Sequence, residues 1–419
     1  MTEPERIYLD HAATSFPKPE PVLAAMLRYA TRLGASPGRG GYAEAVESAA
    51  TLSRCRARLC ELFGGVSPEH VVFTLNCTDA LNLAIHGTVG WWRRHRPEAP
   101  VHLVTTAMDH NSVLRPFEQL RGHGVEITRV GADREGVVDP AEVADALRPE
   151  TRLVAMVHAS NVTGTLQDVG AVGRACREKG VPLLVDAAQS LGHVPVDVGA
   201  MGIDMLAFPG HKGLMGPLGT GGLYIRPGLE GRIEPVRQGG TGSRSEQDTQ
   251  PTEMPDRYES GSHNTIGIVG LLAGVEWLLE RTLPELRTHE VRLIETFLHH
   301  MPGEELGFRL HGPTDPARRV GVFAITHERL TPAELAGALE ARAGVLGRAG
   351  LHCAPGAHDS IGTTASGGAC RLSVGPMTTA DQVRAACACL GEIASAGGAS
   401  GRAARPQDER GSSIQPASV

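Results

Sequence analysis

Asp186 and Lys212 each stand just past an apolar run, where a strand is expected to end. A carboxylate in that place can hold a cation or a protonated ring nitrogen. A lysine there is costly unless it is used. Lost hydration lowers its pKa and frees the amine to form a Schiff base with a carbonyl compound. Each residue alone has an ordinary role, a helix cap for Asp186 and a solvated loop for Lys212. Cys353 lies in Arg348-Ala-Gly-Leu-His-Cys353-Ala-Pro, among polar, charged, Gly and Pro residues. Positive charge from His352 and Arg348 is expected to favour its thiolate, the nucleophilic form. An isolated cysteine packs as a small apolar side chain, which is the expectation for Cys55, Cys60, Cys176, Cys387 and Cys389.

These residues need a frame to bring them together. Short apolar runs at 101–105, 125–130, 153–157, 182–186, 205–208 and 222–225 read as strands. Helical patterns at 141–147 and 169–179 lie between them. Val- and Leu-rich strands joined by helices imply an α/β fold with a mostly parallel sheet covered on both faces. Ligands of such sheets sit at the carboxyl ends of the strands, which is where Asp186 and Lys212 fall. The polar stretch 237–255 is long enough to be functional or disordered. A helix at 266–280 leads to a smaller α+β domain, with strands near 320–325 and 371–374 and a closing helix capped by Thr379. The expected organisation is an N-terminal segment of the small domain (1–20), a large domain (21–265), a linking helix and small domain (266–394), and a disordered tail (395–419).

The strings around these residues resemble the class V aminotransferase family, and within it the cysteine desulfurases. Asp186-Ala-Ala-Gln189 followed by Gly210-His-Lys212-Gly-Leu-Met-Gly216-Pro carries the resemblance, which runs from Tyr8 to about Leu390. It implies the fold type I of pyridoxal-phosphate (PLP) transferases and PLP as cofactor. Lys212 would form the Schiff base and shuttle the proton, Asp186 would pair with the pyridinium nitrogen, and Gln189 would bond the phenolic oxygen. His110, in Met108-Asp-His-Asn-Ser-Val-Leu-Arg-Pro, would stack on the ring. Asn161 would lie near the ring oxygen and the substrate. The helix start at Asn76-Cys77-Thr78-Asp would bind the phosphate, with Thr78 as helix cap and His211 as a further donor. Pro209 stands where many members have a phosphate-binding hydroxyl. Ser262, in Glu259-Ser-Gly-Ser-His-Asn264, would reach the phosphate of a second subunit, which implies a homodimer. Arg371 would grip the substrate α-carboxylate, although Val374-Gly-Pro-Met departs from the usual continuation.

Arg348-Ala-Gly-Leu-His-Cys353-Ala resembles the motif of desulfurases with a short catalytic loop. The resemblance therefore implies conversion of L-cysteine to L-alanine, with a persulfide left on Cys353 for a sulfur-acceptor protein. Other readings are a selenocysteine lyase acting on L-selenocysteine, another class V C–S lyase or aminotransferase, and, from a different class, a non-catalytic scaffold on the same fold.

The bulk composition is that of an ordinary globular protein. The chain has 419 residues, 41% hydrophobic and 21% charged, with a net charge of -7 and no long basic run. That makes nucleic acid a poor main partner. No apolar run reaches the roughly eighteen residues of a membrane helix. Residues 1–10 are polar and contain Pro4, unlike an export signal, so the expected location is the cytoplasm. The eight cysteines show no metal-ligand spacing, so no metal site is expected.

Overall fold

The computed structural model describes residues 6–38 and 40–399. Strand β1 (Ile7–Tyr8) precedes helices α1 (Glu20–Arg28) and α2 (Ala43–Phe63). The chain continues through β2 (Val71–Thr74), α3 (Cys77–His95), β3 (His102–Thr106), α4 (Asn111–Arg121), β4 (Glu126–Val130) and α5 (Pro140–Asp145). Next come β5 (Thr151–Val157), α6 (Val169–Lys179), β6 (Leu183–Asp186), β7 (Met205–Pro209) and β8 (Gly221–Ile225). Seven of these strands form one sheet in the order β2-β8-β7-β6-β5-β3-β4. Only β8 runs against its neighbours.

Burial on both faces explains the apolar runs. Val154, Met156, Val185 and Leu206 pack into one core, while Leu153, Ala155, Leu184 and Met205 pack into the other. Successive side chains of a strand point to opposite faces, so a strand covered on both sides must be apolar throughout. Asp186 breaks the pattern as the last residue of β6. Helices cover the sheet from both sides. The α6 helix ends at Gly180, whose φ of 66° closes it in the left-handed conformation.

After α7 (Thr265–Arg281) and α8 (Leu283–His300), the chain builds a second, antiparallel sheet. The elements of this part are β9 (Phe308–His311), β10 (Val322–His327), α9 (Pro332–Ala343), β11 (Val345–Leu346), β12 (Arg348–Gly350), α10 (Pro355–Ile361), β13 (Ala369–Ser373) and α11 (Ala380–Ala399), of which β9, β10, β12 and β13 form the sheet. The strand order is β12-β13-β10-β9. Leu9, Phe297, Phe323, Leu372 and Leu390 share its core, and β1 pairs in parallel with β11. Residues 7 and 8 are thus fastened beside the second sheet in a separate two-stranded pairing. Buried Arg319 ties that sheet to the first: its guanidinium donates to the carbonyls of Thr163, Pro313 and Val322.

The six expected strands of the large sheet fall within two residues of their expected bounds, while β1, β2, β9, β11 and β12 were not anticipated. The Thr379 hydroxyl accepts from Gln382 N at the start of α11, as expected of a cap. Thr78 is not a cap. Asn76 caps α3, accepting from Asp79 N at 2.9 Å, and Thr78 stands inside the first turn. Residues 395–399, expected in a tail, belong to α11, and 400–419 lie outside the described residues.

Candidate active site

The carboxyl ends of β6 and β7 place Asp186 and Lys212 in a common pocket. Cys77, Thr78, His110, Asn161, Gln189 and His211 line it with them. Asp186 is buried, and its Oδ1 accepts from Ala188 N at 2.9 Å and from the Cys77 thiol at 3.4 Å. Burial pushes the Cys77 pKa well up, and the Asp186 charge adds to this. Lys212 keeps part of its surface open to the pocket. Loss of hydration nonetheless lowers its pKa, against the opposing pull of Asp186. Burial likewise lowers the His110 pKa. His110 Nδ1 lies 2.8 Å from Ser112 Oγ, which lies 2.7 Å from Thr78 Oγ1.

Arg371, on β13, adjoins this pocket from the second sheet. It is buried, with Nη1 donating to Asn161 O at 3.0 Å and Nη2 to Asp10 Oδ1 at 2.7 Å. Burial lowers its pKa, and Asp10 opposes the shift. Its Nε is buried without a hydrogen-bond partner among the described residues. The N-terminal segment forms a further wall. Gln189 Nε2 donates to Ala12 O at 2.8 Å, while Ser15 N and Lys18 Nζ both donate to His211 O, at 2.9 and 3.0 Å.

Cys353 stands at the mouth. Among the described residues it is the exposed cysteine, and the other seven are buried. It shares an open pocket with Thr78, His110 and Ser112. His352 and Cys353 both take left-handed backbone angles, φ 49° and 56°. Such angles cost non-glycine residues about 1–3 kcal/mol each, so the loop must be held from outside. Asn161 Nδ2 donates to His352 O at 2.7 Å and Asn111 N to Cys353 O at 2.8 Å. The first of these bonds ties the loop to Asn161, which lines the pocket that contains Lys212. One expectation needs correcting. His352 is buried and its pKa falls to about 3, so its imidazole is neutral and supplies no positive charge to Cys353. Ser262 is exposed in a separate pocket beside His263 and does not join Lys212 within the chain.

The family model described as aminotransferase class-V matches residues 7–385. This chain belongs to the class V aminotransferase family. A probable cysteine desulfurase from Methanothermobacter thermautotrophicus is 35% identical over 395 residues, covering 94% of this chain and 96% of that protein. Another from Aeropyrum pernix is 34% identical over 369 residues, covering 85% and 87%. The apo structure of a cysteine desulfurase from Thermococcus onnurineus superposes with a TM-score of 0.85 at 29% identity, covering 93% of this chain and 95% of that one. The class V chain therefore has the α/β fold type I of PLP-dependent transferases.

The class V site offers a donor set that fits such a cofactor. A buried carboxylate suits a protonated pyridine nitrogen, and an amine of lowered pKa suits an aldehyde. His211 Nδ1 is buried with no partner among the described residues, a polar atom that a bound group could satisfy. The first turn of α3 presents backbone N–H groups. Gly221 runs so close to Asn76 that a Cβ would meet its Cα at 2.8 Å, so the backbone itself shapes that corner.

Six residues of the class V site escaped the sequence reading. Asn111 and Ser112 lie inside the string quoted for His110, so their signal was local. Asp10, Ala12, Ser15 and Lys18 gave none, being 177 to 361 positions from the residues they hold.

The buried histidines set a pH dependence. Loss of hydration lowers His11 and His352 to about 3, and His158 and His358 to about 4. Between those values and the usual ~6.5 the unfolded chain binds more protons than the folded one. Stability is therefore full above pH ~6.5 and falls as pH drops, by at most about 1.4 kcal/mol per unit for each histidine. Cofactor-free protein is expected to melt at lower temperature at pH ~5 than at pH ~7.5. A Tm that holds or rises on acidification would contradict the assignment of neutral histidines.

Proposed function

We propose that this class V chain is a PLP-dependent cysteine desulfurase that converts L-cysteine to L-alanine and stores the sulfur as a persulfide on Cys353. The observation that carries the proposal is the exposed Cys353 on a loop tied through His352 O to Asn161, which lines the pocket of Asp186 and Lys212. Bound PLP supplies an electron sink for the substrate α-carbon.

The residues divide the remaining work. Asp186 holds the proton on the ring nitrogen, with Gln189, His110 and Asn161 around the ring. Cys77, Thr78 and His211 line the phosphate side. Arg371 binds the substrate carboxylate. Asp10 and the Asn161 carbonyl hold its guanidinium in place, so the clamp is oriented before substrate arrives. Lys212 Nζ takes the α-proton, a role suited to an amine with lowered pKa. The Cys353 thiolate attacks the substrate sulfur. A sulfur–sulfur bond forms, the carbon–sulfur bond breaks, and its electron pair returns to the substrate carbon, which is then protonated. Neutral His352 contributes the shape of the loop. The active form is proposed to be a cytoplasmic homodimer in which Ser262 serves the partner's phosphate, and a sulfur-acceptor protein collects the persulfide.

The test is mass spectrometry of the PLP-loaded protein after L-cysteine is added without an acceptor. One added sulfur atom is expected on the peptide carrying Cys353, together with alanine. Alanine released with no sulfur on Cys353 would overturn the persulfide route.

A further inference from the structure

A second, larger cavity stands apart from the Lys212 pocket. It lies at the opposite, amino-terminal end of the central sheet, with a volume of about 800 Å³. Thr151 at the start of β5, Pro182 before β6 and Asp204 before β7 form its floor. Its rim carries Arg148, Arg152, Arg177, Lys179, Arg226 and Arg232 against one lining carboxylate, Asp204. Arg226 is neutralised by Asp204 at 2.6 Å and Arg148 by Glu126 at 2.9 Å. Arg152, Arg177, Lys179 and Arg232 have no ion pair among the described residues. This excess of positive charge stands on a chain of net charge -7.

Helix ends explain part of the pattern, since Arg177 and Lys179 compensate the dipole of the last turn of α6. They do not explain Arg152 on β5 or Arg232 beyond β8. The walls are also not those of a solvated charge cluster. Trp92, Tyr224, Leu147 and Ile203 line them. The Arg152 guanidinium stacks over the Trp92 ring at 4.0 Å from its centroid, so an aromatic face and a cation meet on one wall.

We propose that this cavity binds an organic polyphosphate of the nucleotide class, separately from the desulfurase site. Guanidinium groups match phosphate oxygens in bidentate fashion. Four unpaired cations call for more than one negative charge. Apolar and aromatic walls suit a base, which a bare inorganic anion lacks. The volume falls in the range of small-molecule sites. Its concave shape favours a small molecule over an RNA strand or an acidic protein segment.

The test is calorimetric titration of PLP-loaded, full-length protein with ATP, and separately with inorganic phosphate, at ~0.1 M salt. ATP is expected to bind saturably and more tightly than phosphate. The double variant Arg177→Glu with Lys179→Glu is expected to weaken ATP binding ~100-fold, about tenfold for each charge-assisted contact. Trp92→Leu is expected to weaken it as well. Cysteine turnover should match the parent in each variant, because the cavity is at the far end of the sheet from Lys212. Arg232→Glu, on an exposed turn, serves if a variant fails to fold and should weaken ATP ~10-fold. No saturable binding up to ~1 mM ATP would overturn the proposal, as would equal affinity for phosphate and ATP or an unchanged affinity in the variants. RNA or polyglutamate binding through these residues while ATP does not bind would overturn it in favour of a macromolecular partner.

Discussion

Lys212→Ala is expected to lower cysteine turnover by ~10⁴-fold or more, the upper range for loss of a positioned proton-transfer group. Lys212 is the amine placed at the carboxyl end of the sheet beside Asp186, and its environment favours the free base that must take the substrate α-proton. Alanine leaves both the buried carboxylate and the Arg371 clamp in place. The variant should therefore still take up PLP and cysteine while halting before any sulfur moves. Stopped-flow absorbance and alanine assays separate these outcomes. Borohydride reduction of the parent, followed by peptide mapping, is expected to place the pyridoxyl group on Lys212. A label on Lys18, the neighbouring amine whose pKa burial lowers to about 8, would move the chemistry to another residue. Near-parent turnover by Lys212→Ala would end the mechanism.

The second large effect concerns Cys353→Ala. Loss of the nucleophile is expected to reduce alanine formation from cysteine by ~10²–10⁴-fold, since the substrate sulfur then has no thiolate to accept it. PLP content and the affinity for cysteine should persist, because Arg371, Asp186 and Lys212 are untouched. Stability should change little. Cys353 is exposed, and its backbone bond to Asn111 N needs no thiol. Turnover of selenocysteine is expected to survive in part, because selenium leaves more readily without capture. The two variants thus divide the reaction at different steps. If Cys353→Ala forms alanine from cysteine at the parent rate, the chain is a lyase or aminotransferase carrying a desulfurase-like loop.

The sequence by itself determined the parts that depend on local pattern. The six strands from 101 to 225 were legible because burial on both faces requires near-continuous apolar runs, and Asp186 stood out by breaking one. The Lys212 and Cys353 loops were legible because their flanking residues form dense local strings. Thr379 was legible as a cap because its hydroxyl acts within one turn. The cap of α3 fell to Asn76 rather than Thr78, since both residue types can cap and only the backbone angle at Asn76 decides between them.

Tertiary structure decided what depends on distance along the chain. The ion pair between Asp10 and Arg371 joins residues 361 positions apart, and no local pattern encodes such a contact. The same holds for the N-terminal segment around Gln189 and His211, and for the Asn161 bond that fixes the Cys353 loop. The charge of His352 was also beyond sequence reading. A histidine beside a cysteine suggests a cation, yet the fold buries this one among apolar and cationic neighbours, and an imidazole withdrawn from water in that setting stays neutral. The basic cavity is a third case. Its arginines come from three separate segments, each unremarkable along the chain, and only the assembly of the sheet gathers them at one end.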